Sequence, residues 1–151
     1  MLNPASVMGS RGPLTVDEVV GSRMAASPLH LFDCALDFDG RYAIVVAPVE
    51  VARSSVKEPV SVIRGAETPH TDFDAIIDDP WFPQEGQYVR RAGDIAFAQA
   101  GVTRDDINVA GLYNCSTVTT ARDEEELGFC KIGEGAEYIK EGNTQLGGAM
   151  P

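Results

Sequence analysis

The chain has 151 residues, 44% of them hydrophobic and 23% charged, which suffices for one compact domain with its own core and leaves two full domains crowded. A formal net charge of −11 repels phosphate polymers and anionic lipid surfaces, so neither nucleic acid nor a membrane is expected as a partner. No apolar run approaches the roughly 20 residues of a membrane span, and "MLNPASVMGS" lacks the layout of a signal peptide, so a cytoplasmic location is expected.

In chain order, the Pro, Gly and Ser content of residues 3–13 predicts irregular structure. "LTVDEVVGSRMA" then starts a short helix: Thr15 and Glu18 have capping-box spacing, and Val16, Val19 and Val20 share one face. Ser27 and Pro28 are expected to stop it. "LHLFDCALDFDGRYAIVVAPVEVA" follows, with a turn at Asp39-Gly40 leading into the β-branched run Tyr42 to Val46. That pattern predicts an antiparallel pair whose second strand is buried on both faces. "PVSVIRGAE", residues 59–67, reads as another strand, and the Pro- and Asp-rich stretch after it as a long loop with Trp81 and Phe82 plugged against the core.

"YVRRAGDIAFAQAGV" repeats small and apolar residues at helical spacing through Val89, Ala92, Ala96 and Ala100, with Gly101 as its stop. Thr103 and Asp106 have a second cap-like spacing, and "INVAGLY" is a third candidate strand, so helix and strand alternate as in an α/β unit. "TVTTARDEEELGF" reads as a helix with acidic residues placed to suit its N-terminus and Gly128 near its end. The tail is glycine-rich, with a short amphipathic turn around Tyr138 and Ile139.

Acidic runs such as "DFDAIIDDP" (72–80) and "RDEEE" (122–126) are expected to be solvated faces. The three cysteines, Cys34, Cys115 and Cys130, form no CxxC pair, so reduced, mostly buried thiols are expected, with neither a disulfide framework nor a metal site. His30 and His70 each stand without a visible Ser, Cys or ligand companion and read as satisfied or exposed. Mononucleotide, dinucleotide, zinc-protease and hydrolase motifs are missing, so spacing and composition stop at an acidic α/β domain.

A longer pattern goes further. "PLHLFDCALDFDG", followed by "YAIVV", and "LGFCKIGEG", in that order, resemble the thiolase superfamily, in its lipid-transfer or sterol-carrier-protein-x branch. The resemblance covers nearly the whole chain. It implies the C-terminal half of a thiolase-like fold, a mixed sheet with α-helices, as an incomplete piece: residues 1–55 would close the loop region and last strands of the first half, and residues 59–151 a partial second half. It also implies that the nucleophilic cysteine, the late histidine and the acid-base cysteine lie outside this chain, which is therefore expected to be inactive alone.

"LYNCST" falls where such enzymes carry a catalytic-pocket motif, which makes Tyr113 the candidate catalytic residue and Asn114 a candidate substrate contact. A phenol can donate a hydrogen bond, or accept one if a cationic or metal neighbour draws off its proton. Gly133 and Gly135 are candidates for a tight turn at the substrate mouth. Cys115 occupies the branch's own cysteine position, which is not the acyl-accepting one.

The resemblance implies a coenzyme A thioester as substrate and no resident cofactor. One reading is an acyltransferase acting on β-ketoacyl-CoA in lipid or sterol metabolism. A tyrosine at 113 resembles instead the steroid side-chain aldolases, which cleave β-hydroxyacyl-CoA by a retro-aldol step with an OB-fold, zinc-ribbon partner protein. Asn114 and Ser116 depart from that pattern, where an acidic residue and an aromatic are usual. A third reading is a non-catalytic subunit. A homodimer built through the first half is implied for the full-length form.

Overall fold

The computed structural model describes residues 12–37, 39–68 and 87–151. Residues 3–11 of the expected irregular opening, His70 and the proposed Trp81 and Phe82 plug lie outside the described residues. The chain divides into two compact units: the described residues up to Ile44 with Tyr113–Thr120, and those of Val45–Leu112 with Ala121–Pro151.

In the first unit, helix α1 (Val16–Val20) begins at the predicted capping box: the Glu18 carboxylate accepts the Thr15 amide at 2.8 Å, and Thr15 Oγ1 accepts the Glu18 amide at 3.3 Å. These bonds occupy two of the orphan donors at a helix start, which explains why so short a helix has a defined first turn. Gly21, rather than Ser27 and Pro28, ends it, with its amide returned to Asp17 at 2.8 Å. Strands β1 (Met24–Ala26) and β2 (Leu29–His30) form an antiparallel hairpin around the cis Ser27-Pro28 peptide. A 3-10 turn, Leu31–Asp33, follows and lies against α1.

The antiparallel partnership expected for Tyr42 to Val46 is not formed. Among the described residues these positions carry no ladder, and Ile44, Val45 and Val46 stand 85–91% exposed. Val60, Val62 and Ile63 in the second candidate strand are exposed as well, and residues 107–113 form no strand. The reason is physical: an apolar run becomes a doubly buried strand only when neighbouring strands bond its backbone and layers cover both faces. Local sequence supplies the propensity but not those neighbours.

In the second unit, α2 (Val49–Ala52) is one turn, and α3 (Gln87–Ala100) is the long helix that the spacing predicts. Gly101 ends α3 in the left-handed region at φ +69°, its amide bonded to the Phe97 carbonyl at 3.0 Å. Thr103 and Asp106 then bracket a 3-10 turn, Arg104–Asp106, with Asp106 Oδ2 accepting both the Thr103 amide and its hydroxyl at 2.8 Å. Those bonds, the backbone one first, hold the Asp106 carboxyl below its ordinary range. Helix α4 (Thr117–Leu127) and α5 (Gly135–Lys140) complete the order among the described residues. No helix of the described residues is long and apolar enough to cross a membrane.

Helix α3 is tied to residues 121–127 of α4 by a cation. Arg104 Nε donates to the Leu127 carbonyl at 2.9 Å, its Nη2 pairs with Asp94 on α3, and its guanidinium lies 4.4 Å from the Phe97 ring centroid. Gly93 is the close-approach point, since a Cβ there would stand 3.0 Å from Leu127 Cδ2. The acidic residues of α4 fall late in the helix, not in its first turn as expected. Nor is "RDEEE" a solvated face, because Glu124 is 2% and Glu126 7% exposed. The half-exposed Arg122 reaches Glu126 at 2.7 Å, a helical i,i+4 pair that makes its burial tolerable.

Candidate functional site

The segment 113–117 is shaped by local chemistry at its C-terminal end and by the distant residues 33–35 at its middle. Ser116 Oγ accepts the Thr119 amide at 3.2 Å, the bond of a helix N-cap, so α4 starts there rather than earlier. Cys34 and Ser116 form an isolated antiparallel bridge, and the Ala35 amide donates to the Cys115 carbonyl at 3.0 Å. Asp33 adds a side-chain tie: its Oδ1 accepts the Thr117 hydroxyl at 3.1 Å while its Oδ2 accepts the His30 amide at 2.8 Å. His30 is a satisfied histidine, with Nδ1 2.7 Å from the Ser22 carbonyl oxygen.

Tyr113 stands at the free end of this segment and is 77% exposed; Asn114 beside it is also exposed. The described residues of the same unit therefore fix the backbone that carries the phenol without enclosing the ring. Cys115 is exposed too, against the expectation of mostly buried thiols, and its Sγ lies 3.2 Å from the Thr119 hydroxyl. That hydroxyl is no base, so the arrangement does not activate the sulfur.

Gly133 and Gly135 belong to the other unit and play different parts. Gly133 adopts φ +87°, a turn conformation that a residue with a Cβ resists. Gly135 is buried at the start of α5: its amide donates to Glu125 Oε1 at 2.8 Å, and a Cβ there would sit 2.8 Å from that oxygen and inside contact range of the Ala121 carbonyl. Its smallness therefore serves helix packing, a role the "GEG" pattern alone does not disclose.

Around it lies a set of titratable groups that the sequence did not single out. The end of α4 is closed by Gly128 at φ +83°, with the Phe129 amide on the Glu124 carbonyl at 2.9 Å. Among the described residues, Glu124 Oε2 is buried without a hydrogen-bond partner. Burial, then the Asp123 charge, raises the Glu124 carboxyl above its ordinary value of 4.5. Burial and the charges of Glu125, Glu124 and Glu134 push the Cys130 thiol up to about 11, and burial with Glu124 also raises the Tyr138 phenol.

Two expectations follow. A raised carboxyl binds its proton more tightly in the folded chain than in the unfolded one, so its contribution to stability falls as pH rises from 4.5 through the raised value. Glu124→Gln is expected to flatten that decline, with the midpoint of urea unfolding measured between about pH 5 and 7 as the check. In alkylation followed by mass spectrometry near pH 8, the exposed Cys115 is expected to react well before Cys130, whose thiolate is scarce.

Three comparisons bear on this geometry. Residues 83–151 match the family described as thiolase C-terminal domain-like. The chain is 34% identical over 142 residues to a steroid side-chain-cleaving aldolase of Thermomonospora curvata, covering 92% of this chain and 36% of that protein. It is 32% identical over 138 residues to an acetyl-CoA acetyltransferase of Methanothermobacter thermautotrophicus, covering 91% and 35%. A solved structure titled Ltp2-ChsH2(DUF35) aldolase superposes with a TM-score of 0.82 at 32% identity, covering 95% of this chain and 38% of that one. The chain thus spans little more than a third of the length of these relatives. The superposition bears out the expected fold class, although among the described residues the mixed sheet it implies is represented by one short hairpin.

Proposed function

We propose, from the premise that this chain belongs to the thiolase superfamily with residues 83–151 as its thiolase C-terminal domain-like part, that it contributes one wall of a coenzyme A thioester site performing carbon–carbon cleavage. The reaction is a retro-aldol step on a β-hydroxyacyl-CoA. Tyr113, reacting as its phenolate, accepts the β-hydroxyl proton as the Cα–Cβ bond breaks, and the electron pair moves onto the thioester carbonyl as an enolate. The same proton, returned by Tyr113 to the enolate at Cα, yields the shortened acyl-CoA and restores the phenolate, and a carbonyl compound leaves. The carrying observation is the placement of the phenol: Tyr113 is presented outward on a segment anchored at Asp33, Cys34 and Ala35. The thiols beside and beyond it lack a nucleophile's setting, since Cys115 faces a threonine hydroxyl and Cys130 is pushed up to about 11.

Asn114 is assigned a substrate contact beside Tyr113, and Gly133 the turn at the substrate mouth. The remaining walls, the coenzyme A contacts and any partner belong to polypeptide besides the described residues. The proposed partners are a second copy in the full-length form and an OB-fold, zinc-ribbon protein. Residues 1–55 are assigned to the first thiolase half and 59–151 to the second.

The acetyltransferase relative favours a second reading, acyl transfer through an acyl-cysteine supplied by the other half. The two separate cleanly in an assembly that contains this chain. Incubation with β-hydroxyacyl-CoA should release a carbonyl product with no thiol acceptor present, and intact-mass analysis should detect no acyl adduct. An adduct, or a strict requirement for free coenzyme A, contradicts the retro-aldol reading.

A further inference from the structure

We propose that Asp33 is a positioning residue for Tyr113, acting through the backbone of the 113–117 segment; this rests on the retro-aldol reading above. The two oxygens of Asp33 have separate tasks. Oδ2 accepts the His30 amide at 2.8 Å, at the end of β2, and Oδ1 accepts the hydroxyl of Thr117, 84 positions later in the chain, at 3.1 Å. One carboxylate therefore joins the hairpin to the first residue of α4. Bonds to an ionised acceptor are roughly twice as strong as neutral ones, and these two act in series with the Cys34–Ser116 bridge and the Ala35 to Cys115 bond.

The geometry explains why this tie matters for the phenol and not only for the fold. The Tyr113 ring is 77% exposed, so within its own unit its direction comes from the backbone rather than from packing around the ring. That backbone is held at 115, 116 and 117, and the Asp33–Thr117 bond is the side-chain member of the three. Releasing it leaves the bridge intact but lets the junction between segment and helix rotate. A displacement of about 1 Å at a reacting group costs up to roughly 100-fold in rate.

The test uses the active assembly and six variants. Asp33→Asn is expected to lower kcat about 10-fold with KM for the thioester changed less than about 2-fold. Thr117→Val should reproduce that loss, Thr117→Ser should recover most of the rate, and the Asp33→Asn/Thr117→Val double variant should be no worse than either single one. In a Tyr113→Phe background Asp33→Asn should lower the residual rate no further. Independently of activity, Asp33→Asn should speed amide exchange in peptides covering 113–117 and leave those of 87–100 unchanged.

If Tyr113→Phe is inactive while Asp33→Asn keeps the full rate, the positioning role fails and the retro-aldol reading survives. If Tyr113→Phe keeps the full rate, both fall. Faster exchange throughout the chain, with no recovery by Thr117→Ser, means a merely structural aspartate and overturns the inference.

Discussion

Replacing Tyr113 with phenylalanine in the active assembly is expected to lower kcat for retro-aldol cleavage by roughly 10²–10⁴-fold while KM stays within a few-fold. The substitution removes the phenolic oxygen and leaves the ring. It touches no ladder bond, because the backbone of the segment is held at Cys115, Ser116 and Thr117 rather than through the phenol. A general base contributes only in the transition state, which is why the loss belongs in turnover and not in binding. Steady-state kinetics on a β-hydroxyacyl-CoA with direct detection of the carbonyl product checks it. A rate within a factor of about 3 of the parent contradicts the assignment of Tyr113 as base or acid.

Gly135→Ala is expected to have the largest effect on stability. The added methyl meets the Ala121 carbonyl, which is helix backbone and cannot swing aside, and stands 2.8 Å from the carboxylate oxygen that accepts the Gly135 amide. Overpacking against a fixed wall costs roughly 2–3 kcal/mol, which in a chain of this size lowers Tm by roughly 5–10 °C. Thermal melting of the assembly reads this directly, and the thioester KM of the folded fraction should stay unchanged. A raised KM with an unchanged Tm would instead support Gly135 at the substrate mouth. Gly133→Ala is the contrast: it meets nothing within 4 Å and costs about 1 kcal/mol through its left-handed backbone.

What could be read from the residues alone was what neighbours in sequence decide. The Thr15–Glu18 box, the Thr103–Asp106 pair and the Ala-rich stripe ending at Gly101 are contacts within a few positions, and each appears where the spacing puts it. The strands expected at 42–46, 59–67 and 107–113 needed bonding partners that no local pattern encodes, and the described residues give them no ladder. The burial of Glu124 and Glu126 escaped for a related reason. Charge predicts water, but Arg122 lies one helical turn before Glu126 and covers its charge from within the same run. In the candidate site, Tyr113 was nominated by likeness, whereas Asp33 was silent, since its partner Thr117 stands 84 positions away.

The bare run from Tyr42 to Val46 sets a kinetic condition on the life of this polypeptide. Five neighbouring residues without a charge or a proline, rich in β-branched side chains and wet on the surface, have the composition of a segment that zips onto its own copies. Molecules that meet each other before they meet whatever shields this run will stack, so yield should depend on dilution and on the order in which subunits are made.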